Sequence, residues 1–244
     1  MTAPPDLPRL SVVIPAKNEA GSVAAQMAEL DAVLAPLAPF EVIYVVDGST
    51  DDSLRELARA DRGWLRVIVH AESCGKSAAI LTGVRAARAG IVATIDGDGQ
   101  NDPRYVLDLV AALERGGPEV GLAVGQRTRR GDGGFKKLQS RVANRVRAAI
   151  LKDSTRDTAC GHKVFRRDVF LSLPFFDSLH RFLPALTKRE GLGVVHVDVI
   201  DRPRTAGASH YGFLDRLAGG ILDLGGVWWL LRRRRRIPAI RYDG

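Results

Sequence analysis

Two carboxylates one residue apart, Asp96 and Asp98, stand inside the run Ile95-Asp96-Gly97-Asp98-Gly99-Gln100-Asn101-Asp102-Pro103. At the end of an apolar strand, both can point into one crevice. Their hard oxygens suit Mg2+ or Mn2+, which keeps several waters and bridges the oxygens of a diphosphate. Asp and Gly are also ordinary turn residues, and it is the place after the apolar run Ile91–Ile95 that favours a metal. A second cluster, Asp47-Gly48-Ser49-Thr50-Asp51-Asp52-Ser53, follows the run Phe40–Val46. Its carboxylate and hydroxyls suit a base or a ribose, while Thr50 or Asp51 also suits the N-cap of a following helix. Gly75-Lys76-Ser77 tempts a P-loop reading, but that motif needs a glycine where His70 stands. Lys76 is left to approach a phosphate or to cap a helix.

Other chemistries find little support. His70, His162, His180, His196 and His210 show no metal-ligand spacing, and no GxSxG nucleophile elbow is present. No GxGxxG follows the first strand, which argues against a dinucleotide-binding enzyme. Cys74 and Cys160 read as small buried residues rather than nucleophiles. Two cysteines make no disulfide framework and fit a reducing compartment.

The elements that must position these residues alternate. Leu10–Ile14, Phe40–Val46, Leu65–Val69, Ile91–Ile95 and Glu119–Val124 are short apolar runs, as expected of strands covered on both faces. Ser22–Leu34, Asp51–Arg59, Ser77–Ala89 and Pro103–Arg115 carry helical spacing, the last with Asp102 as its cap and Pro103 in its first turn. The order predicts an open, mostly parallel α/β sheet with helices on both faces. Ligands bind such sheets at the carboxyl ends of the strands, where the polar clusters lie. A basic, glycine-rich stretch follows at residues 127–135. Beyond it a helix is expected over about Lys136–Leu151, with further strands over Cys160–Phe165 and Val194–Ile200.

The formal charge of +8 is unevenly placed. Residues 127–147 carry a net +7 and residues 213–244 a net +4, leaving a mildly acidic remainder of −3. A uniformly basic nucleic-acid binder has no such division. Basic groups around a glycine-rich loop beside a metal crevice suit an anionic second substrate. In Phe213–Leu231, residues Leu214, Leu217, Ile221, Leu224, Trp228 and Leu231 share one helical face, and Asp215, Gly219, Asp223 and Gly226 mark the other. Paired Trp228 and Trp229 precede Arg232–Arg236. This describes an interfacial amphipathic helix with a polybasic tail for an anionic membrane surface. No uninterrupted run reaches the ~18 apolar residues of a membrane span, and the N-terminus does not read as a signal peptide.

The ordered set SVVIPAKNE (residues 11–19), VVDGSTDDS (45–53), CGKSAAILTGV (74–84), DGDGQNDP (96–103) and DTACGHKVFRR (157–167) resembles family 2 glycosyltransferases of the GT-A fold. It is most similar to the dolichol-phosphate mannose synthase and polyprenyl-phosphate sugar synthase group, over about residues 9–212. The resemblance implies that Pro15, Ala16, Asn18, Glu19, Asp47 and Lys76 meet the donor nucleotide. It implies that Asp96 contacts nucleotide and metal, that Asp98 binds the metal directly, and that Gln100 sits near metal or sugar. Arg127, Lys136 and Ser140 would receive an acceptor phosphate, and Asp157 would act as a base, as an orienter or only as a loop-structuring carboxylate. Arg202, Arg204 and Ser209 would belong to a loop closing on the diphosphate. Val46 stands where the family often has a second acid, Gly97 where alanine is commoner, and His210 where lysine is frequent.

The expectation is thus a catalytic domain over residues 1–212 and a membrane-interface helix with its tail over 213–244. The expected enzyme is a metal-dependent, inverting glycosyltransferase, cytoplasmic and peripheral on the inner face of the cell membrane. It would move a sugar from a nucleotide-diphospho-sugar to a polyprenyl phosphate. A soluble or polysaccharide acceptor is the alternative within the same class. A non-catalytic basic adaptor for membrane or nucleic acid is the alternative outside it, and it leaves the acidic strand-end cluster unexplained.

Overall fold

The structure is a computed structural model that describes residues 7–60, 62–129, 147–202 and 213–233. Seven strands form one sheet: β1 (Leu10–Ala16), β2 (Phe40–Asp47), β3 (Leu65–His70), β4 (Ile91–Thr94), β5 (Val120–Arg129), β6 (Lys163–Arg166) and β7 (Gly193–Ile200). Their order is β3-β2-β1-β4-β6-β5-β7. β6 runs antiparallel to both of its neighbours, and the remaining pairs are parallel. The mostly parallel α/β sheet expected from the sequence is therefore present.

Helices α1 (Ala20–Leu34), α2 (Ser53–Arg59), α3 (Lys76–Ala86) and α4 (Arg104–Arg115) connect the first five strands. Then come α5 (Arg167–Ser172), α6 (Leu179–Arg189) and α7 (Phe213–Arg232). One core joins Leu10, Val12, Ile14 and Tyr44 of the sheet to Met27 and Leu30 of α1 and Leu109 and Leu113 of α4. The core on the other face joins Val13, Ile43 and Val45 to Ile80 and Val84 of α3 and Phe182 and Leu183 of α6. Truncating one such side chain to alanine costs about 2–5 kcal/mol. The sheet is thus a rigid base for the loops at its carboxyl edge.

Several boundaries differ for local reasons. α3 stops at Ala86, short of the expected Ala89. The N–H of Arg88 donates to the fully buried Glu41 carboxylate at 2.7 Å instead of extending the helix. Arg66 at 2.8 Å and Ser11 at 2.7 Å complete that cluster, at the amino end of β2 and away from the crevice. β3 is an edge strand, so Val67 and Val69 are exposed rather than covered on both faces. β5 continues to Arg129, well past the expected Val124. α4 begins at Arg104 with Pro103 at its N-cap, one residue later than expected, and Asp102 just before it accepts the Arg104 N–H at 3.0 Å.

α7 is present, but the face it buries is not the expected one. Val227 is fully buried against the α6 side, with Leu224, Leu230 and Leu231 packed beside it. Ile221, Leu222, Trp228 and Trp229 are exposed. The expected stripe is therefore split, because Leu224 and Leu231 pack inward while Ile221 and Trp228 face out. No helix among the described residues is long and apolar enough to cross a membrane.

Candidate active site

The carboxyl ends of β1 to β4 meet at a cleft of about 230 Å³. Pro15, Ala16, Glu19, Asp47, Lys76, Asp96 and Asp98 all line it, so seven of the sequence-derived candidates come together there. Lys17, Ser73, Gly75, Ala79 and Gly97 complete the wall.

The Asp96–Asp102 loop is held from several sides. The Asp96 N–H donates to Asn101 Oδ1 at 2.8 Å, and its carbonyl accepts from Gln26 Nε2 at 2.8 Å. The Gly97 carbonyl accepts from Ser22 Oγ at 2.5 Å. Ser22 and Gln26, one turn apart on α1, thus fix the backbone between the two carboxylates. A Cβ on Gly97 would lie 2.7 Å from the Ala16 Cβ and 3.2 Å from the Tyr44 hydroxyl, so the loop lies directly against the end of β1. Asp98 is 8% exposed, and its Oδ1 accepts the Gln100 N–H at 3.1 Å. Asp96 Oδ1 lies 2.5 Å from Lys76 Nζ. Burial favours the neutral carboxyl of Asp96, but Lys76, with Lys163 and His180 farther off, holds it below its ordinary value. Two hard carboxylates on a tightly held loop at a polar cleft fit a divalent cation of the Mg2+ or Mn2+ type.

Asp47 and Asn18 take other work. Asp47 accepts four hydrogen bonds: from His70 and the Cys74 N–H on Oδ1, and from Ser73 Oγ and the Gly75 N–H on Oδ2, all at 2.8–2.9 Å. Burial would raise its carboxyl, but these donors pull it below the ordinary carboxylate value. Asp47 therefore orders the 70–75 loop that carries Lys76 into place. Cys74 is exposed rather than buried as expected, whereas Cys160 is buried. Asn18, in a left-handed conformation at φ 57°, is outside the cleft wall. Its N–H donates to Ser49 Oγ at 3.0 Å and its Oδ1 accepts the Thr50 N–H at 2.8 Å, clasping the β1 and β2 loops together. Asp51 serves two helix starts, accepting the N–H groups of Ser53 and Ala20 at 3.0 Å.

A second polar cluster adjoins the first through Asn101. Asn101 Nδ2 donates to Asp201 Oδ1 at 3.1 Å, and Arg127 Nη1 reaches Asp201 Oδ2 at 3.2 Å. Arg127 also grips both oxygens of Asp157, at 2.5 and 3.0 Å. Gln100 donates from Nε2 to the Arg202 carbonyl at 3.2 Å. The Arg202 side chain is held by Glu29 and Asp102, at 2.7 and 2.9 Å, instead of lining the cleft. Lys136, Ser140, Arg204 and Ser209 lie outside the described residues.

Residues not singled out from the sequence complete the surroundings. Lys163 is buried, donates to the Cys160 carbonyl, and is pushed down to about 8 by burial. His180 Nδ1 lies 2.7 Å from Ser77 Oγ. Polar Ser22 and Gln26 interrupting the apolar stripe of α1 were the readable signal; a buried lysine in β6 gave none. Two mixed groupings, Asp47–His70–Cys74 and Cys160–His162–Asp201, bring possible ligand atoms within 4.8 Å of one another, which the histidine spacing did not suggest. The Asp47 oxygens already accept four hydrogen bonds, and burial pushes the Cys160 thiol up to about 11.

The model of the family described as glycosyl transferase family 2 matches residues 11–173. Dodecaprenyl-phosphate galacturonate synthase of Rhizobium johnstonii is 34% identical over 238 residues, covering 93% of this chain and 68% of the relative. Undecaprenyl-phosphate 4-deoxy-4-formamido-L-arabinose transferase of Klebsiella pneumoniae subsp. pneumoniae is 30% identical, covering 92% and 68%. Mannosyl-3-phosphoglycerate synthase from Rubrobacter xylanophilus superposes with a TM-score of 0.72 at 20% identity, over 97% of this chain and 78% of that one. Glucosyl-3-phosphoglycerate synthase from Mycobacterium tuberculosis, solved with Mn2+, UDP-glucose and glycerol 3-phosphate, superposes with a TM-score of 0.69 at 20% identity, over 95% and 82%. These structural likenesses are likenesses of the GT-A fold. The family match over residues 11–173 and the relatives at 34% and 30% identity establish that this chain is a glycosyltransferase belonging to glycosyl transferase family 2.

Proposed function

We propose that the enzyme moves a sugar from a nucleotide-diphospho-sugar to a polyprenyl phosphate at the inner face of the cell membrane, inverting the anomeric carbon. One observation carries the reading: the strand-end cleft that holds Asp96, Asp98 and Lys76 and an arginine–carboxylate clamp are joined through Asn101. Polyprenyl-phosphate transfer is what the names of both curated relatives describe, and the exposed tryptophans of α7 suit a membrane surface.

Asp98 and Asp96 would hold the divalent cation, which supplies charge to stabilise the leaving diphosphate. Lys76 adds positive charge on the same wall of the cleft. Asp47 keeps the lysine-bearing loop in place, and Asn18 and Asp51 keep the two nucleotide-side loops together. The acceptor phosphate is already anionic at neutral pH, so its attack on C1 needs orientation more than a strong base. Three of the five N–H groups of Arg127 are spent on Asp157 and Asp201. That clamp fixes the plane in which the guanidinium meets a phosphate, and it makes Asp157 a positioning residue.

The test uses nucleotide sugars with Mg2+ or Mn2+ and undecaprenyl phosphate, reading the lipid product by mass. Asp98→Ala should abolish turnover with the fold intact. Near-normal turnover by that variant sinks the metal mechanism, and transfer only to water-soluble acceptors sinks the lipid assignment.

A further inference from the structure

A second groove, of about 810 Å³, opens where the end of α6 meets the end of α7 and residues 150–152. Its charges are Lys152, Lys188, Arg189 and Arg232 against the single carboxylate of Glu190. The cleft of the proposed reaction shares no residue with it. Ile150, Leu151 and Leu231 give it an apolar floor.

The cations are built in rather than scattered. Arg189 donates to the Leu230 carbonyl at 3.0 Å and the Arg233 carbonyl at 2.7 Å, tying α6 to the last turn of α7. Lys188 Nζ donates to the Asp153 carbonyl at 2.8 Å. The carbonyl partner of Lys188 is neutral and leaves its charge uncancelled, whereas Arg189 is also paired with Glu190 at 2.7 Å, so the net positive charge of the groove comes from Lys152, Lys188 and Arg232. Arg232 lies 3.6 Å from the ring centroid of Trp228, and Arg233 lies 5.4 Å from that of Trp229. Arg232 thus joins the groove to an outer face of α7 on which Ile221 and Leu222 are 64% and 79% exposed and Trp228 and Trp229 are 41% and 52% exposed. The sequence continues with Arg234, Arg235 and Arg236.

We infer that this groove is a binding site for the phosphate of an anionic phospholipid headgroup, with the outer face of α7 lying in the bilayer interface. Charge complementarity selects the headgroup. The exposed tryptophans and aliphatics beside the cations select a lipid over a nucleic acid or a free phosphate ion, neither of which has apolar surface to offer them. The inference deepens the membrane placement proposed above and names the surface that makes it.

The test measures the full chain without donor or acceptor, by co-sedimentation with phosphatidylcholine vesicles and with mixed phosphatidylcholine–phosphatidylglycerol vesicles. The wild type should partition onto the mixed vesicles with a blue shift in tryptophan emission. Lys152→Gln combined with Arg232→Gln should lower that partition about 30-fold, at roughly tenfold or less per charge. Both residues are exposed and lie outside the catalytic cleft, so nucleoside-diphosphate binding should stay unchanged. Arg55→Gln combined with Arg59→Gln removes the same net charge from α2 and should leave partition near wild type. Equal loss in that control, equal binding to neutral vesicles, or competition by millimolar inorganic phosphate overturns the inference. Vesicle binding is read without any sugar transfer, so failure of the proposed reaction leaves this result standing, and the reverse.

Discussion

Arg127 grips Asp157 at both carboxylate oxygens, with Nε 2.5 Å from Oδ2 and Nη2 3.0 Å from Oδ1, and reaches Asp201 with its remaining nitrogen. The pair sits partly buried, and the fork geometry leaves the guanidinium one orientation. Asp157→Asn keeps the shape but weakens the grip. The acceptor KM should rise about tenfold while nucleotide binding holds and the pH profile of kcat keeps its shape. If Asp157 were instead a general base, kcat would fall about 10²–10⁴-fold and the acidic limb of the profile would disappear. Steady-state kinetics across pH separate the two.

Lys76 and Asp96 form the corresponding pair on the donor side, 2.5 Å apart. An ammonium on Asp96 Oδ1 competes with a divalent cation for the same carboxylate. Lys76→Met should therefore tighten Mn2+ binding several-fold in the absence of nucleotide, because no ammonium then competes for Asp96 Oδ1. Donor KM should rise in the same variant, because a positive charge on the cleft wall is lost. Calorimetric titration of Mn2+ and of a nucleoside diphosphate reads the two effects separately. Weaker Mn2+ binding in the variant would show that Lys76 orients Asp96 rather than competing for it.

The strands and the loops after them were legible because β1, β2 and β4 are nearly continuous apolar runs ending in polar clusters. The contacts between clusters were not. Asn101 meets Asp201 across 100 residues of sequence, and Arg202 meets Glu29 across 173, distances at which no local pattern reports. Arg127 was readable as a cation beside the crevice, but its carboxylate partners come from the loop after residue 153 and from the end of β7. The buried face of α7 was unreadable for a different reason. Between Ile221 and Leu231 the helix is apolar on both sides, so periodicity alone cannot choose Val227 over Trp228 as the inward residue.

Glycines at the site are predicted to be intolerant of a methyl group, for reasons of contact. A Cβ at Gly161 would lie 2.2 Å from Asn101 Oδ1 and 2.6 Å from Asp96 Oδ1. Gly161→Ala should displace both and lower activity at least as strongly as it lowers stability. Gly97→Ala meets Ala16 and Tyr44 instead, which are packed against the sheet and cannot retreat. A loss of about 1–3 kcal/mol is expected there. Thermal melts read beside product formation check the distinction: a Gly161→Ala enzyme with full activity would remove Asn101 from the account of the site.

Acid should destabilise the fold before its carboxylates protonate. Burial holds His180 well below its ordinary 6.5, with Lys76, Lys163 and Arg181 adding to the effect, and burial likewise lowers His162. A depressed folded pKa means that the unfolded chain takes up the proton first. The stability these groups contribute is therefore fully present above pH 6.5 and is lost as pH falls from there through the folded values. Each group adds a slope of up to about 1.4 kcal/mol per pH unit inside its window. The stability that Asp102 contributes, its carboxyl held low by Arg104 and Arg202 against the opposing effect of burial, is fully present above the ordinary carboxylate range and is lost only as pH falls below it, so it acts later. Urea midpoints at about pH 7.5 and about pH 5.5 should differ clearly in the wild type and less in His180→Gln, which has no proton to take up. Equal losses in the two proteins would mean that His180 is protonated in the folded state and that its bond to Ser77 is made by the imidazolium.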